Sequence, residues 1–341
     1  VSVDDIWYGD SVTDRLTRAA LTAPSWLYGG VVALRNAMYD RGVLPSFAGE
    51  IPVVSVGNVT VGGTGKTPFS ALLVRMLRES GHTPAVVMRG YGDDERHLHA
   101  RLNVDVSVVA GADRIAGIRE AAAGGADVVV LDDGFQHRRA RRDLDIVLVS
   151  AERWRPTLGV LPAGPLREPL RSIRRADIVA ITRKVADDAD VARVRDYVAG
   201  IRRSVDAIVE AAIEPSALVE WRGGAELSLD SLGGASVLAI AGIGDPASFF
   251  AQITRAGAQV TQRQFRDHHN YSAAEARELQ READSHKYVI TTEKDAVKLS
   301  RQWPANGARL WYVSQAVRLT EGSSFVATAL AKLFKRATSI A

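Results

Sequence analysis

A lysine and a threonine directly after a glycine-rich turn are the residues of this chain best suited to hold a polyphosphate. They close the run Val53-Val-Ser-Val-Gly-Asn-Val-Thr-Val-Gly-Gly-Thr-Gly-Lys-Thr-Pro68. An apolar strand leads into the glycines, and Gly65-Lys66-Thr67 opens a helix. Glycines let backbone N–H groups curl around phosphate oxygens, and the helix N-terminus adds its dipole. In such a P-loop Lys66 reaches the β- and γ-phosphates and the Thr67 hydroxyl ligates magnesium. Thr60, Gly62, Gly63, Thr64 and Gly65 make the rest of the nucleotide cradle. Thr60 stands where the usual pattern has glycine, five residues before Gly65. A fortuitous glycine-rich turn is the bland alternative, and a strand before and a helix after argue against it.

Two carboxylates supply the complementary chemistry. Asp127-Val-Val-Val-Leu-Asp-Asp133 is an apolar strand ending in Asp132 and Asp133. Alone, such a pair is often a turn or a helix cap. Downstream of a P-loop it has the form of a strand whose aspartate holds magnesium at the carboxyl end of a parallel sheet.

The elements that must position these groups alternate. Strands are expected at 51–57, 84–88, 104–109, 127–131, 145–149, 177–182 and 206–212, with helices at 68–80 and 114–123. Short apolar strands alternating with helices predict an α/β fold: a P-loop NTPase-type parallel sheet flanked by helices. Polar residues and the pairs Gly223-Gly224 and Gly233-Gly234 read as a linker or small hairpin over 214–235. A second, smaller α/β domain then covers 236–341, with strands at 236–241, 259–265, 288–292 and 310–313 and a last helix at 323–334. The P-loop domain spans 46–213 and an N-terminal helical region 1–45.

Composition narrows the partners. There are no cysteines, which removes disulfides, thiolate metal sites and a cysteine nucleophile. Net charge is only +3, but arginines cluster at 138–142 and 167–175. Such runs are either solvated faces or sites for an anionic partner. Nucleic acid is not expected, because no recognition module and no aromatic–basic stacking platform is present. No segment has the length of a membrane span and no signal-peptide pattern opens the chain. Trp26, Leu27, Tyr28, Val31, Val32, Leu34, Met38 and Tyr39, with arginines nearby, suit a helix lying in a membrane interface. Periodicity alone favours the plainer reading, a helix packed on its own domain.

Motif order says more. Gly57–Pro68, Arg89-Gly-Tyr-Gly92, Asp132-Asp-Gly-Phe-Gln-His137, Arg142-Asp-Leu-Asp145, Leu161-Pro-Ala-Gly-Pro-Leu-Arg-Glu-Pro169, Asp267-His268 and Thr291-Thr-Glu-Lys-Asp-Ala-Val-Lys298 follow one another. Together they resemble the tetraacyldisaccharide 4'-kinase family, the lipid A 4'-kinases, from the N-terminal helix to about Leu299. The resemblance implies ATP- and Mg2+-dependent phosphorylation of the 4'-hydroxyl of a tetraacyl glucosamine disaccharide 1-phosphate, an acylated lipid substrate, to give lipid IVA. It implies a peripheral, monotopic enzyme on the cytoplasmic face of the bacterial inner membrane. With an acylated substrate, interfacial docking becomes the expectation for 26–39. No protein partner is implied.

The family's catalytic base is an Asp in a Gly-Asp-Glu-Pro motif, partnered by a His. The resemblance carries these roles to Asp94, in Gly92-Asp-Asp-Glu-Arg96, and to His268. Asp93 is the fallback for the base and His269 the neighbour of the histidine. The segment is shortened and Arg96 replaces the proline. If base and histidine lie on different domains, closure would assemble them. Arg167 and Glu168 are expected in the metal or phosphate region, with Thr67, Asp132 and Asp133 as the other metal ligands. Gln136 and His137 are expected to line the site. The 291–298 motif receives no catalytic role. Two rival classes remain: a P-loop switch or assembly ATPase, and a kinase of a soluble small molecule. Partitioning-type switch ATPases carry a lysine directly before the two glycines, and here that residue is Val61.

Overall fold

The structure is a computed structural model that describes residues 3–90, 93–152, 154–201 and 207–337, without the side chains of 93–95 and 336–337. Helices α1 (Val3–Tyr8) and α2 (Val12–Asp40) precede β1 (Val53–Asn58) and α3 (Lys66–Glu79). Then come β2 (Pro84–Met88), α4 (Asp93–Leu102), β3 (Ser107–Ala110), α5 (Arg114–Ala123) and β4 (Val128–Asp132). β5 (Leu144–Ser150), β6 (Ile178–Arg183), α6 (Asp188–Ile201) and β7 (Ile208–Glu220) follow. Next are β8 (Glu226–Leu227), β9 (Ser236–Ala241), α7 (Pro246–Arg255), β10 (Gln259–Gln264) and α8 (Ala273–Ala283). The chain ends with β11 (Tyr288–Thr292), α9 (Glu293–Leu299), β12 (Leu310–Glu321) and α10 (Ser323–Ala337).

These elements form two compact units. The first comprises Val1–Arg89, Asn103–Ala211 and Leu319–Ala341, the second Gly90–Leu102 and Ala212–Arg318. In the first, strands lie in the order β6-β5-β1-β4-β2-β3, and every adjacent pair is parallel. Every residue of β1 and β4 is buried, as a parallel sheet covered on both faces requires. Val53, Val87 and Val129 pack with Ile115 and Ile118 of α5. Val147, Val179 and Ile181 pack with Val191, Val194 and Val198 of α6. The carboxyl ends of β1 and β4, neighbours in this sheet, carry the P-loop and the Asp132-Asp133 pair, where parallel α/β sheets bind ligands.

The second unit has the parallel order β10-β9-β11-β12, with Leu238, Ile240, Val289 and Leu310 packed under Leu279 of α8 and Leu299 of α9. Two stretches depart from the expected boundaries. Within 214–235, expected as a linker or small hairpin, β7 continues to Glu220 and β8 returns antiparallel to it. Pro215 and the exposed Glu214 break the apolar run, but only the following glycines make a turn. Gly90–Leu102, expected inside the P-loop domain, groups with the second unit. Its α4 packs against α9, with Leu98 and His99 buried. The segment is too polar for sequence periodicity to mark it as a helix.

Helix α2 reverses the usual amphipathic arrangement. Its buried residues are polar: Asp14, Ser25 and Asn36. Val12, Leu16, Leu27 and Leu34 are exposed, and their spacing puts them on the opposite side of the helix. Asp14 closes a capping box with Ser11, which starts the helix firmly. One side of this segment packs on the first unit, and the other is apolar and open. Among the described residues no helix is long and apolar enough to cross a membrane.

Candidate active site

In the first unit the phosphate-binding turn is held from several directions. Gly65 precedes α3 with φ +85° and makes no side-chain cap, leaving the first amides of the helix to a ligand. Gly57 lies so close to Phe135 that a Cβ would sit 2.4 Å from the Phe135 Cβ, so only glycine lets the end of β1 meet this loop. Asn58 Nδ2 donates to Thr64 Oγ1 at 2.8 Å, and Gln136 Nε2 donates to the Asn58 carbonyl at 2.8 Å. Thr182 Oγ1 donates to the Thr64 carbonyl at 3.0 Å, and Lys184 Nζ to the Gly63 carbonyl at 2.9 Å. The Glu152 carboxylate collects the backbone N–H groups of Lys184, Val185 and Ala186, which fixes that loop. Neither Glu152 nor Lys184 stands out in the sequence.

Charge gathers beneath this turn. Thr67 Oγ1 lies 3.4 Å from Asp132 Oδ2, and Ser70 Oγ lies 3.3 Å from Asp132 Oδ1. Asp133 has a left-handed backbone, φ +56°, which a non-glycine residue adopts at a cost. Its carboxylate accepts from Arg167 Nη1 at 2.9 Å through both oxygens and sits 3.6 Å from Lys66 Nζ. Burial works against the Asp133 charge, but Lys66 and Arg167 outweigh it and hold the carboxyl below its usual range. Asp133 therefore keeps two cations in place beside the phosphate-binding turn.

The Leu161–Pro169 stretch is strapped onto the P-loop by backbone hydrogen bonds. Val61 N–H donates to the Pro165 carbonyl and Arg167 N–H to the Val59 carbonyl, both at 2.7 Å. That explains how Arg167 reaches Asp133. Glu168, expected in the metal region, is placed differently. Its carboxylate is 1% exposed and pairs with Arg175 at 2.9 Å, and Asn36 Nδ2 donates to it at 2.8 Å. Thr67, Asp132 and Asp133 come together; Glu168 instead anchors α2 beside them. Arg175 also lies over the Phe135 ring, 4.5 Å from its centroid, a role no sequence pattern announced. His137 is half-buried, and burial together with the Arg114 charge lowers its pKa to about 4, so it is neutral at pH 7.

In the second unit Asp94, and the alternative Asp93, open α4; their side chains fall outside the described residues. His268 has φ +58°. Its N–H donates to the Gly242 carbonyl at 3.1 Å and to Asp267 Oδ1 at 3.0 Å, and its imidazole is 57% exposed. His269 differs. It stacks on Phe265 at 4.8 Å and pairs with Glu275 at 3.1 Å, so its ring is held by the scaffold. α4 and the His268 loop belong to the same compact unit, not to the two domains expected from sequence.

The 291–298 motif holds both. Asp295, fully buried, accepts from Gly242 N–H at 2.9 Å, Tyr271 Oη at 3.1 Å and Thr292 Oγ1 at 2.7 Å, fixing the backbone around His268. Glu293 pairs with Arg101 of α4 at 3.5 Å, and Arg101 lies over Trp221 at 4.5 Å and Tyr312 at 4.8 Å. Burial pushes Glu293 up to about 7, against the pull of Arg101.

Known proteins resemble this chain. Residues 17–335 match the family model described as Tetraacyldisaccharide-1-P 4'-kinase. The chain is 39% identical over 333 residues to the tetraacyldisaccharide 4'-kinase of Halorhodospira halophila, covering 92% of this chain and 91% of the relative. It is 37% identical over 302 residues to that of Chlorobaculum parvum, covering 80% and 82%. A crystal structure of LpxK from Aquifex aeolicus in complex with ATP superposes with a TM-score of 0.72 at 29% identity, covering 93% of this chain and 99% of that one.

Proposed function

This chain belongs to the tetraacyldisaccharide-1-P 4'-kinase family, and from that premise we propose how its residues move a phosphoryl group from ATP to the 4'-hydroxyl of a tetraacyl glucosamine disaccharide 1-phosphate. The observation that carries the reading is the Lys66–Asp133–Arg167 group beneath the P-loop, which sets two cations where a transferring phosphoryl group needs charge neutralised. The P-loop amides and Lys66 hold the β- and γ-phosphates. The acceptor O4' attacks the γ-phosphorus as the bond to the ADP oxygen breaks. The hydroxyl proton passes to the Asp94 carboxylate, which His268 orients.

The oxygen donors at the turn suit magnesium. Thr67 offers a hydroxyl and Asp132 a carboxylate, side by side. No cluster of three or more ligating side chains exists among the described residues. Magnesium needs none, because it binds through one or two carboxylates and fills its shell with phosphate oxygens and water. Thr67 and Asp132 would hold it, with Asp133 keeping Lys66 and Arg167 beside them, and when bound it would neutralise charge on the phosphate oxygens.

The outer side of α2, with Leu16, Leu27 and Leu34 exposed, supports docking in the interface of the inner membrane's cytoplasmic leaflet. An amphipathic helix of this kind lies in the interface and does not cross it. The acyl chains of the substrate then stay in the bilayer while its sugar meets the site. The reading calls for no protein or nucleic-acid partner.

The test is purified protein, γ-labelled ATP and the tetraacyl disaccharide 1-phosphate in mixed micelles. Labelled lipid is expected, together with stoichiometric ADP. Nucleotide binding without any labelled lipid would sink the reading. Hydrolysis stimulated by a protein partner would favour a switch ATPase, and detergent-independent labelling of a soluble alcohol a different kinase.

A further inference from the structure

Two hydrogen-bonded routes lead from the buried side of α2 into the P-loop. In the first, Tyr28 Oη donates to the Arg167 carbonyl at 2.9 Å; Arg167 grips Asp133, and Asp133 faces Lys66. In the second, Arg35 Nη2 donates to the Gln136 carbonyl at 2.8 Å. Gln136 then holds Asn58, and Asn58 holds Thr64 in the phosphate-binding turn. Between them Asn36 ties α2 to Glu168, the residue after Arg167. A helix that only anchored the protein would need its exposed apolar side alone. Here the buried side spends its polar groups on the backbone of the two segments that carry Arg167 and Gln136.

We propose that Tyr28 and Arg35 are positioning residues for phosphoryl transfer, setting Arg167 and the P-loop from α2 independently of any membrane. The inference rests on the kinase reading above. Contact along a chain of residues is not coupling until coupling is measured, so the decisive readout is a double-mutant cycle.

The enzyme is assayed in detergent mixed micelles at saturating lipid. Tyr28→Phe removes one hydroxyl and should lower kcat about fivefold, the cost of one neutral hydrogen bond in the transition state. Arg35→Met should lower it about tenfold, and Arg35→Lys, which keeps a donor, should recover part of that. The KM for lipid should stay within about twofold, because ground-state lipid binding does not use these bonds. In an Arg167→Lys background Tyr28→Phe should cost nothing further, since the residue it acts through is already displaced. Melting temperatures report that each variant is folded.

Unchanged kcat in folded variants overturns the proposal. So does a rise in lipid KM with kcat intact, which is the signature of an anchor alone. A Tyr28→Phe loss that persists in full beside Arg167→Lys overturns it as well. Wild-type protein that labels no lipid removes the kinase reading and this inference with it; an active wild type with indifferent variants removes the inference only.

Discussion

The region around Lys66 and the region around His268 are built on different plans. Near Lys66 the reactive groups hold one another: Lys66, Asp133 and Arg167 are ion-paired, and Thr67 and Asp132 stand together. Near His268 the scaffold is buried and the imidazole is exposed, with Asp295 fixing the backbone behind it. The contrast fits two tasks. A triphosphate presents the same charges every time and rewards a site organised in advance. A sugar hydroxyl on a lipid must be accepted and released, and needs one accessible group on a firm backbone.

Substitutions can break this comparison. Lys66→Ala should lower turnover about a thousandfold and weaken ATP binding as well, because Lys66 belongs to the donor side. Steady-state kinetics with a nucleotide-binding titration checks both. Asp94→Ala should lower turnover about a hundredfold and leave ATP affinity unchanged. If Asp94→Ala keeps near-normal turnover and Asp93→Ala does not, the base is Asp93. His268→Ala should cost about tenfold in kcat, whereas His269→Ala should lower the melting temperature more than the rate, its ring being stacked on Phe265 and paired with Glu275.

The two units also separate by pH. His137 in the first unit has its pKa lowered to about 4. The stability it contributes is complete above its unfolded value near 6.5 and is lost as pH falls through about 4. Glu293 in the second unit is raised to about 7. Its contribution is complete below its unfolded value near 4.5 and is lost as pH rises through about 7, on the order of 3 kcal/mol in all. His137→Gln should therefore flatten the acid side of the stability profile and Glu293→Gln the neutral side, read from denaturant midpoints between pH 4 and 8. A wild-type profile that neither substitution alters would contradict both assignments.

The same contrast decides what could be read in advance. The P-loop, the Asp132-Asp133 strand end and the parallel α/β order are local patterns, in which spacing alone implies geometry. Glu168 shows where that stops: its neighbours in sequence are site residues, but its carboxylate turns to Asn36 and Arg175. The grouping of Gly90–Leu102 with the second unit depends on long-range contacts such as Arg101 with Glu293, which no periodicity encodes. The left-handed backbones of Asp133 and His268 were equally hidden, because neither residue is a glycine. In α2 the apolar and arginine-rich composition was legible, but which side faces inward followed from Ser25 and Asn36, polar residues that carry no hydrophobic signal.

The most direct test of the whole account is where the phosphate goes. Protein, ATP and tetraacyl disaccharide 1-phosphate are taken through one turnover, and the lipid product is read by proton–phosphorus correlation spectroscopy. The account predicts one new phosphomonoester coupled to H4' of the distal glucosamine, with the 1-phosphate unchanged. Phosphate on any other oxygen, or ADP released with no new phosphorus on the lipid, would contradict it.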